Sequence, residues 1–213
     1  MKKYSLLLTF ALFGYAANSN GQKKEEINYS DPFQIDSTEY FLIPRLIDSE
    51  NHEAYGKGKG YLPWGNYRDI YFYNSKTNQT RKLFGETLAL INTFSPKRNY
   101  YDEKSVEIPG NILTNHIVYM VRTENFNNDN GLDSEDPVYL YISSKTGDGL
   151  TQITPKGLHV LSWTASRDKK MLIVKLMADK NNNKKFGNGD DEIYYRIDLN
   201  DDISKIKCYP VSL

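Results

Sequence analysis

Short runs rich in Tyr, Ile, Val, Leu and Thr recur along this chain between polar segments. Residues 69–73 (DIYFY), 79–84 (QTRKLF), 88–94 (LALINTF), 157–164 (GLHVLSWT) and 192–199 (EIYYRIDL) all carry Tyr, Ile, Val, Leu or Thr in this way. That is the pattern of a strand with one face on a core. Residues 171–177 (MLIVKLM) are too apolar to face water and predict a central strand. Residues 40–43 (YFLI) predict a strand that ends, or lies at an edge, at Pro44. No window of about a dozen residues beyond the N-terminal apolar run shows a helical period, so the expected fold class is all-β.

Polar segments punctuate these runs. Residues 74–78 (NSKTN), 166–170 (SRDKK) and 200–202 (NDD) read as turns, because Asn, Asp and Ser side chains bond their own backbone. Residues 116–154 form the central plan: an apolar strand, an Asn/Asp-rich loop, a strand, a tight turn and a strand. The plan recurs downstream and, more weakly, upstream. Three hairpins align, starting at Asp69, Asp136 and Asp191, with Ile70, Val138 and Ile193 as equivalent positions. An apolar strand (YFLI, IVYMV, MLIVKL) and a polar loop precede each hairpin. A further strand (LALINTF, HVLSWT) precedes the last two units. Four antiparallel strands per unit at this period is the layout of a propeller blade. The expected architecture is therefore about three four-stranded antiparallel units, 38–87, 88–154 and 155–213, with a β-sandwich as the alternative.

Residues 161–199 resemble one blade of the TolB-type β-propellers, also called WD40-like or PD40 repeats. The resemblance rests on Ser162-Trp163, on Arg167-Asp168-Lys169 at the following turn, and on the strand Glu192-Ile193-Tyr194. Gln152-Ile153-Thr154 followed by Gly157 resembles the link between blades. The chain departs from the family's Ser-Trp-Ser-Pro-Asp-Gly turn in lacking its Pro and Gly. The match is best over 151–199, fair over 88–150 and weak over 38–85. It implies an open or incomplete propeller, since closure takes roughly four blades or more. A degenerate fourth blade, an open wedge of sheets, or two chains completing each other all satisfy that count, so a homo-oligomer is among the expectations.

The N-terminus changes the cellular picture. Lys2 and Lys3, an apolar run over 6–17 and then small and polar residues have the layout of a secretory signal peptide, with a cut before Ala17 or Gln22. The run is about a dozen residues, short of the roughly 20 that span a bilayer. Residues 1–21 are thus the expected signal, 22–37 a polar leader with at most one short strand near 33–35, and 38–213 a single all-β repeat domain. The expected location is periplasmic or extracellular. No later segment is apolar enough to cross a membrane. Basic and acidic residues balance at 27 each with no basic stripe, which argues against a nucleic-acid partner. Cys208 is the sole cysteine, so no intrachain disulfide forms, and it reads as half-buried filler.

Candidate chemistry lies in two loops. The first places Asn125, Asn127, Asp129, Asp133 and Asp136 at positions 1, 3, 5, 9 and 12. The second places Asp179, Asn181, Asn183 and Asp190 at 1, 3, 5 and 12. Calcium takes six to eight oxygens, and a tight loop offers them at alternate positions with a late carboxylate to close the sphere. Neither loop is an EF-hand: Gly131 comes one place late, Lys184 stands at position 6, and the flanks are strands. Ordinary Asn/Asp turns are the competing explanation. Gly56, Gly58 and Gly60 alternate with Lys57 and Lys59, yet match no phosphate-binding loop.

Catalytic constellations are sparse. His52, His116 and His159 are far apart, and no Gly-x-Ser-x-Gly elbow occurs. Glu103 with Glu107 is a carboxylate pair without a bracketed sugar site, and Trp64 is a possible stacking residue. The expected function is a non-catalytic exported binding module of the cell envelope, calcium-stabilised, with a protein or glycan partner. The expected surface joins loops 48–65, 125–136 and 179–191 on one face. The alternatives are a hydrolase acting on glycan or peptide, and a structural protein whose loops take no ligand.

Overall fold

The hairpin of β2 (Tyr40–Leu46) and β3 (Tyr67–Asn74) is buried on alternate residues: Leu42, Ile70 and Phe72 are buried, while Ile43 and Tyr71 beside them are half-exposed. The structure, a computed structural model, describes residues 27–47, 67–91, 97–98, 106–107, 112–129 and 131–213. The expected signal, the loop 48–65 with Trp64, and the side chains of Glu103 and Glu107 lie outside them. The all-β expectation is borne out.

The strands form three four-stranded antiparallel meanders. The first unit runs β1 (Phe33–Gln34), β2, β3, β4 (Gln79–Lys82). In the second, β5 (Leu90–Ile91), β8 (His116–Arg122), β9 (Tyr139–Ser144) and β10 (Thr151–Gln152) lie side by side. The third runs β11 (Leu158–Ala165), β12 (Met171–Ala178), β13 (Asp191–Asp198), β14 (Lys207–Pro210), with one 3-10 turn at Ile203–Lys205. A separate ribbon, β6 (Lys97–Arg98) and β7 (Val106–Glu107), falls between β5 and β8 in sequence. One residue pair, Tyr67 with Ile91, fuses the first two units into a single eight-stranded sheet. A backbone bond links the second and third units, Val160 N–H to Val138 O at 2.9 Å.

The three aligned hairpins share one backbone bond, in a register shifted from the one the letters suggest. Leu83 N–H donates to Ile70 O, Ile153 N–H to Leu140 O, and Val211 N–H to Tyr194 O, each at 2.8 Å. Equivalent positions are therefore Ile70, Leu140 and Tyr194, later than Val138 and Ile193. Val138 is taken up elsewhere: its carbonyl joins Val160, and its N–H donates to His159 Nδ1 at 3.0 Å.

Two cores follow. Leu42, Ile70 and Phe72 of the first unit pack on Ile117, Tyr119 and Val121 of β8. Val118 of β8, with Leu140 and Ile142 of β9, packs on Leu172, Val174, Leu176 and Ile197 of the third unit. Successive residues of β8 thus enter opposite cores, which is why its sequence does not alternate. Tyr119 keeps its hydroxyl in the first core by pairing with Ser143 Oγ at 2.8 Å. The leader joins the fold: Ile35 is 1% exposed, and Tyr29 bridges to Arg45 beside β2. Burial pushes the Cys208 thiol up to about 11, which keeps it protonated and inert. No helix among the described residues is long and apolar enough to cross a membrane.

Candidate functional site

Two loops, one between β8 and β9 and one between β12 and β13, share five internal bonds from backbone N–H groups to side-chain oxygens. In the first, Asn125 Oδ1 and Asn127 Oδ1 both accept from Asp129 N–H at 3.2 and 3.1 Å. In the second, Asp179 Oδ1 and Asn181 Oδ1 both accept from Asn183 N–H at 3.1 and 3.0 Å. Asp129 Oδ1 then accepts from Gly131 N–H, as Asn183 Oδ1 does from Lys185 N–H. The closing carboxylates match as well. Asp136 accepts from Phe126 N–H at 2.7 Å and Asp133 N–H at 2.9 Å; Asp190 accepts from Lys180 N–H at 3.2 Å and Gly187 N–H at 2.9 Å. Asn128 and Asn182, at the same place in each loop, take φ of 58° and 57°. Asn is the residue that tolerates this left-handed conformation best after Gly.

The loops differ in charge and burial. The first carries Asp129, Asp133, Glu135 and Asp136, and Asp136 is only 1% exposed. The second has Gly187 where the first has Asp133, and Lys184 and Lys185 sit within it. Among the described residues no three His, Cys, Asp or Glu side chains converge as a metal-holding group. The oxygens that do converge are a mixture of amides and carboxylates.

The loops lie side by side. Phe126 and Phe186 approach to 5.4 Å between ring centroids, and Lys185 Nζ lies 3.3 Å from a Glu135 carboxylate oxygen. Between them opens a cavity of about 330 Å³ lined by Arg122, Ser134, Glu135, His159, Lys185 and Phe186. Arg122, nearly buried, donates from Nε to Asp136 O at 2.9 Å and from Nη2 to Ser134 O at 3.3 Å, fixing the loop to the end of β8. His159 stacks on Phe186 at 5.2 Å. A second cavity of about 320 Å³, lined among others by His116, Asp168, Lys169, Lys170 and Asp201, carries mixed charges. Burial depresses the pKa of His116 there, while Asp201 and the Asn200 carbonyl oppose the shift.

His159 is neutral in this setting. Its Nδ1 accepts from Val138 N–H, so its single proton is on Nε2. Burial, then the charge of Arg122, pushes its pKa down to about 4. An unfolded histidine titrates near 6.5, so between these values the unfolded chain binds a proton that the native chain refuses. Stability is therefore fully present above about pH 6.5 and falls as the pH drops toward 4. His159→Gln, whose amide oxygen can still accept from Val138, flattens that decline. Urea unfolding at a series of pH values checks this; parallel curves for the two proteins would remove His159 as a cause.

All nine sequence-predicted loop residues lie in these two loops, as two separate sets. Arg122, Phe126, His159 and Phe186 were not expected as site residues. Arg122 had one available signal, a charge ending an otherwise apolar strand directly before the loop.

Fold and site define an all-β protein of three stacked four-stranded antiparallel units, with matched Asx-rich loops leaving its second and third units. Comparison of the chain with family models, curated proteins and solved structures found no match.

Proposed function

We propose that this chain is an exported, non-catalytic binding module of the cell envelope whose two matched loops each hold a calcium ion. The observation that carries the reading is the duplication of five loop bonds at equivalent places in successive units. Ordinary turns have no need to agree over a dozen residues. Each loop offers only hard oxygen donors, the class calcium takes. Asn125, Asn127, Asp129, Asp133 and Asp136 would hold one ion, and Asp179, Asn181, Asn183 and Asp190 the other. Bound calcium would neutralise the crowded carboxylates and tie each loop to its strands. The first loop has more carboxylates and no lysine within it, so it binds the more tightly.

The TolB-type resemblance supports a propeller-like module that displays loops for recognition, periplasmic or extracellular, with a protein or glycan as partner. The side-by-side loops and the cavity between them are the expected recognition surface. A thermal melt of the chain from Gln22, in calcium and then in excess chelator, tests the metal. Binding at a hundredfold excess over Kd adds about 2.7 kcal/mol, so chelation lowers Tm and restored calcium raises it again. Asp129→Ala, at an exposed position, removes most of the first site's share of that rise. A Tm indifferent to both calcium and chelator would reduce the loops to turns.

A further inference from the structure

We propose that two copies of this chain join head to tail, the third unit of each packing on the first unit of the other, so that six units close a ring. The inference is independent of calcium and rests on the register of the repeat. Each unit has a forward face, toward the next unit, and a backward face, toward the previous one. The pairs Leu42–Phe72, Val118–Ile142 and Ile173–Arg196 are equivalent and lie on forward faces. The neighbouring pairs Ile43–Tyr71, Tyr119–Tyr141 and Val174–Tyr195 are equivalent and lie on backward faces. Inside the chain, forward faces meet backward faces twice: unit one on unit two in the first core, unit two on unit three in the second.

That leaves one face of each kind. Leu42 and Val118 are 0% exposed, while their equivalent Ile173 is half-exposed, with Met171, Met177 and Tyr194 on the same face. At the other end Ile43 and Tyr71 are half-exposed, although Tyr119 and Val174 at the position of Ile43 are 0% exposed. Phe41 and Tyr73 flank them, and Tyr29, itself 49% exposed, meets Tyr71 edge-on at 5.6 Å. Among the described residues no fourth unit covers either surface. The occupant that fits is given by the two contacts the chain already makes. A forward face takes a backward face in this register, and another copy of the chain carries both.

The forward face of unit three carries cations at two places where the interior ones are apolar. Lys175 stands where units one and two have Pro44 and Met120, and Arg196 where they have Phe72 and Ile142. Each cation is matched within its own face, Lys175 by Glu192 and Arg196 by Asp198, both at 2.6 Å. The face therefore brings no unmatched charge to the contact, and it offers Arg196 to Tyr71 and Tyr73, on a face that also carries Arg45 and Lys82, the latter paired with Glu86. Such a contact is weaker than the interior ones and reversible, and raised salt shifts it. Two copies related by a two-fold axis make the contact twice, and the resulting six units fall within the range of four to eight blades at which such rings close.

Sedimentation equilibrium of the chain from Gln22 over a range of concentrations tests the ring. The expected result is reversible assembly to twice the monomer mass and no further. Ile173→Glu and Tyr71→Glu each give monomers alone. Mixed together they recover a dimer, because the backward face of the first and the forward face of the second are both intact. A chain monomeric at every concentration would overturn the proposal. So would a dimer indifferent to both substitutions, or a mixture that stays monomeric. If circular dichroism shows either variant unfolded, Tyr29→Arg and Tyr209→Arg replace them, since these side chains are 49% and 43% exposed and belong to neither core.

Discussion

Gly147→Ala lowers the free energy of unfolding by about 2–5 kcal/mol, from a left-handed backbone and a collision added together. Gly147 lies in the turn between β9 and β10 with φ of +80°, its N–H donating to Ser144 O at 2.9 Å. A Cβ there would stand 2.9 Å from Cδ2 and Cε2 of Phe72. Phe72 belongs to the first unit and is 1% exposed, so its ring has nowhere to go. The same turn is tied to the first unit by Asp148, whose carboxylate takes Arg81 at 2.6 Å while that guanidinium lies 6.0 Å above the Phe72 ring. Gly157→Ala is the control. Its φ is +75°, but nothing lies within 4 Å of the added Cβ, so only the backbone cost of about 1–2 kcal/mol remains. Urea unfolding of both variants measures the difference. Equal losses would mean that the turn does not press on Phe72.

Asp136→Ala costs about 2–6 kcal/mol even in chelator, because it orphans two backbone N–H groups at roughly 1–3 kcal/mol each. Those groups are Phe126 N–H and Asp133 N–H, and the carboxylate that serves them is 1% exposed. Asp136→Asn keeps one acceptor and recovers part of the loss. Asp190→Ala removes the equivalent bonds in a more exposed loop, where water can replace them, and costs less. Comparing the three variants in chelator separates the structural role of the carboxylate from any metal. A loss seen for Asp136→Ala only when calcium is present would assign the residue to metal binding alone.

The strands were legible because Tyr, Ile and Phe concentrate on pleated, partly buried surfaces, as in DIYFY and EIYYRIDL. The loops were legible because Asn and Asp at alternate positions bond their own backbone, as Asn125 and Asp179 do. What pairs across distance was not legible. The letters of DIYF, DPVY and DEIY align readily, yet the ladders are set by where each turn closes and by which residues the next unit claims. Val138 shows this: its backbone serves His159 and Val160 in the third unit, and no local pattern announces that. The burial of Asp136 was hidden for the same reason, since it depends on Arg122 crossing from β8. The polar segment before residue 38 concealed Ile35, a single core residue in hydrophilic surroundings.

The middle unit has no side of its own that meets water, and this constrains how the molecule comes into being. A polypeptide threading out N-terminus first can complete its first hairpins and lay β8 and β9 upon them. The reverse side of that pair, Val118, Leu140 and Ile142, then stays bare until β11 and β12 have emerged. Through that interval the nascent chain is a sticky slab, prone to adhere to its neighbours. The last sixty or so residues therefore act as the chain's own internal chaperone, and a truncation after β10 yields aggregate rather than a shorter, well-behaved protein.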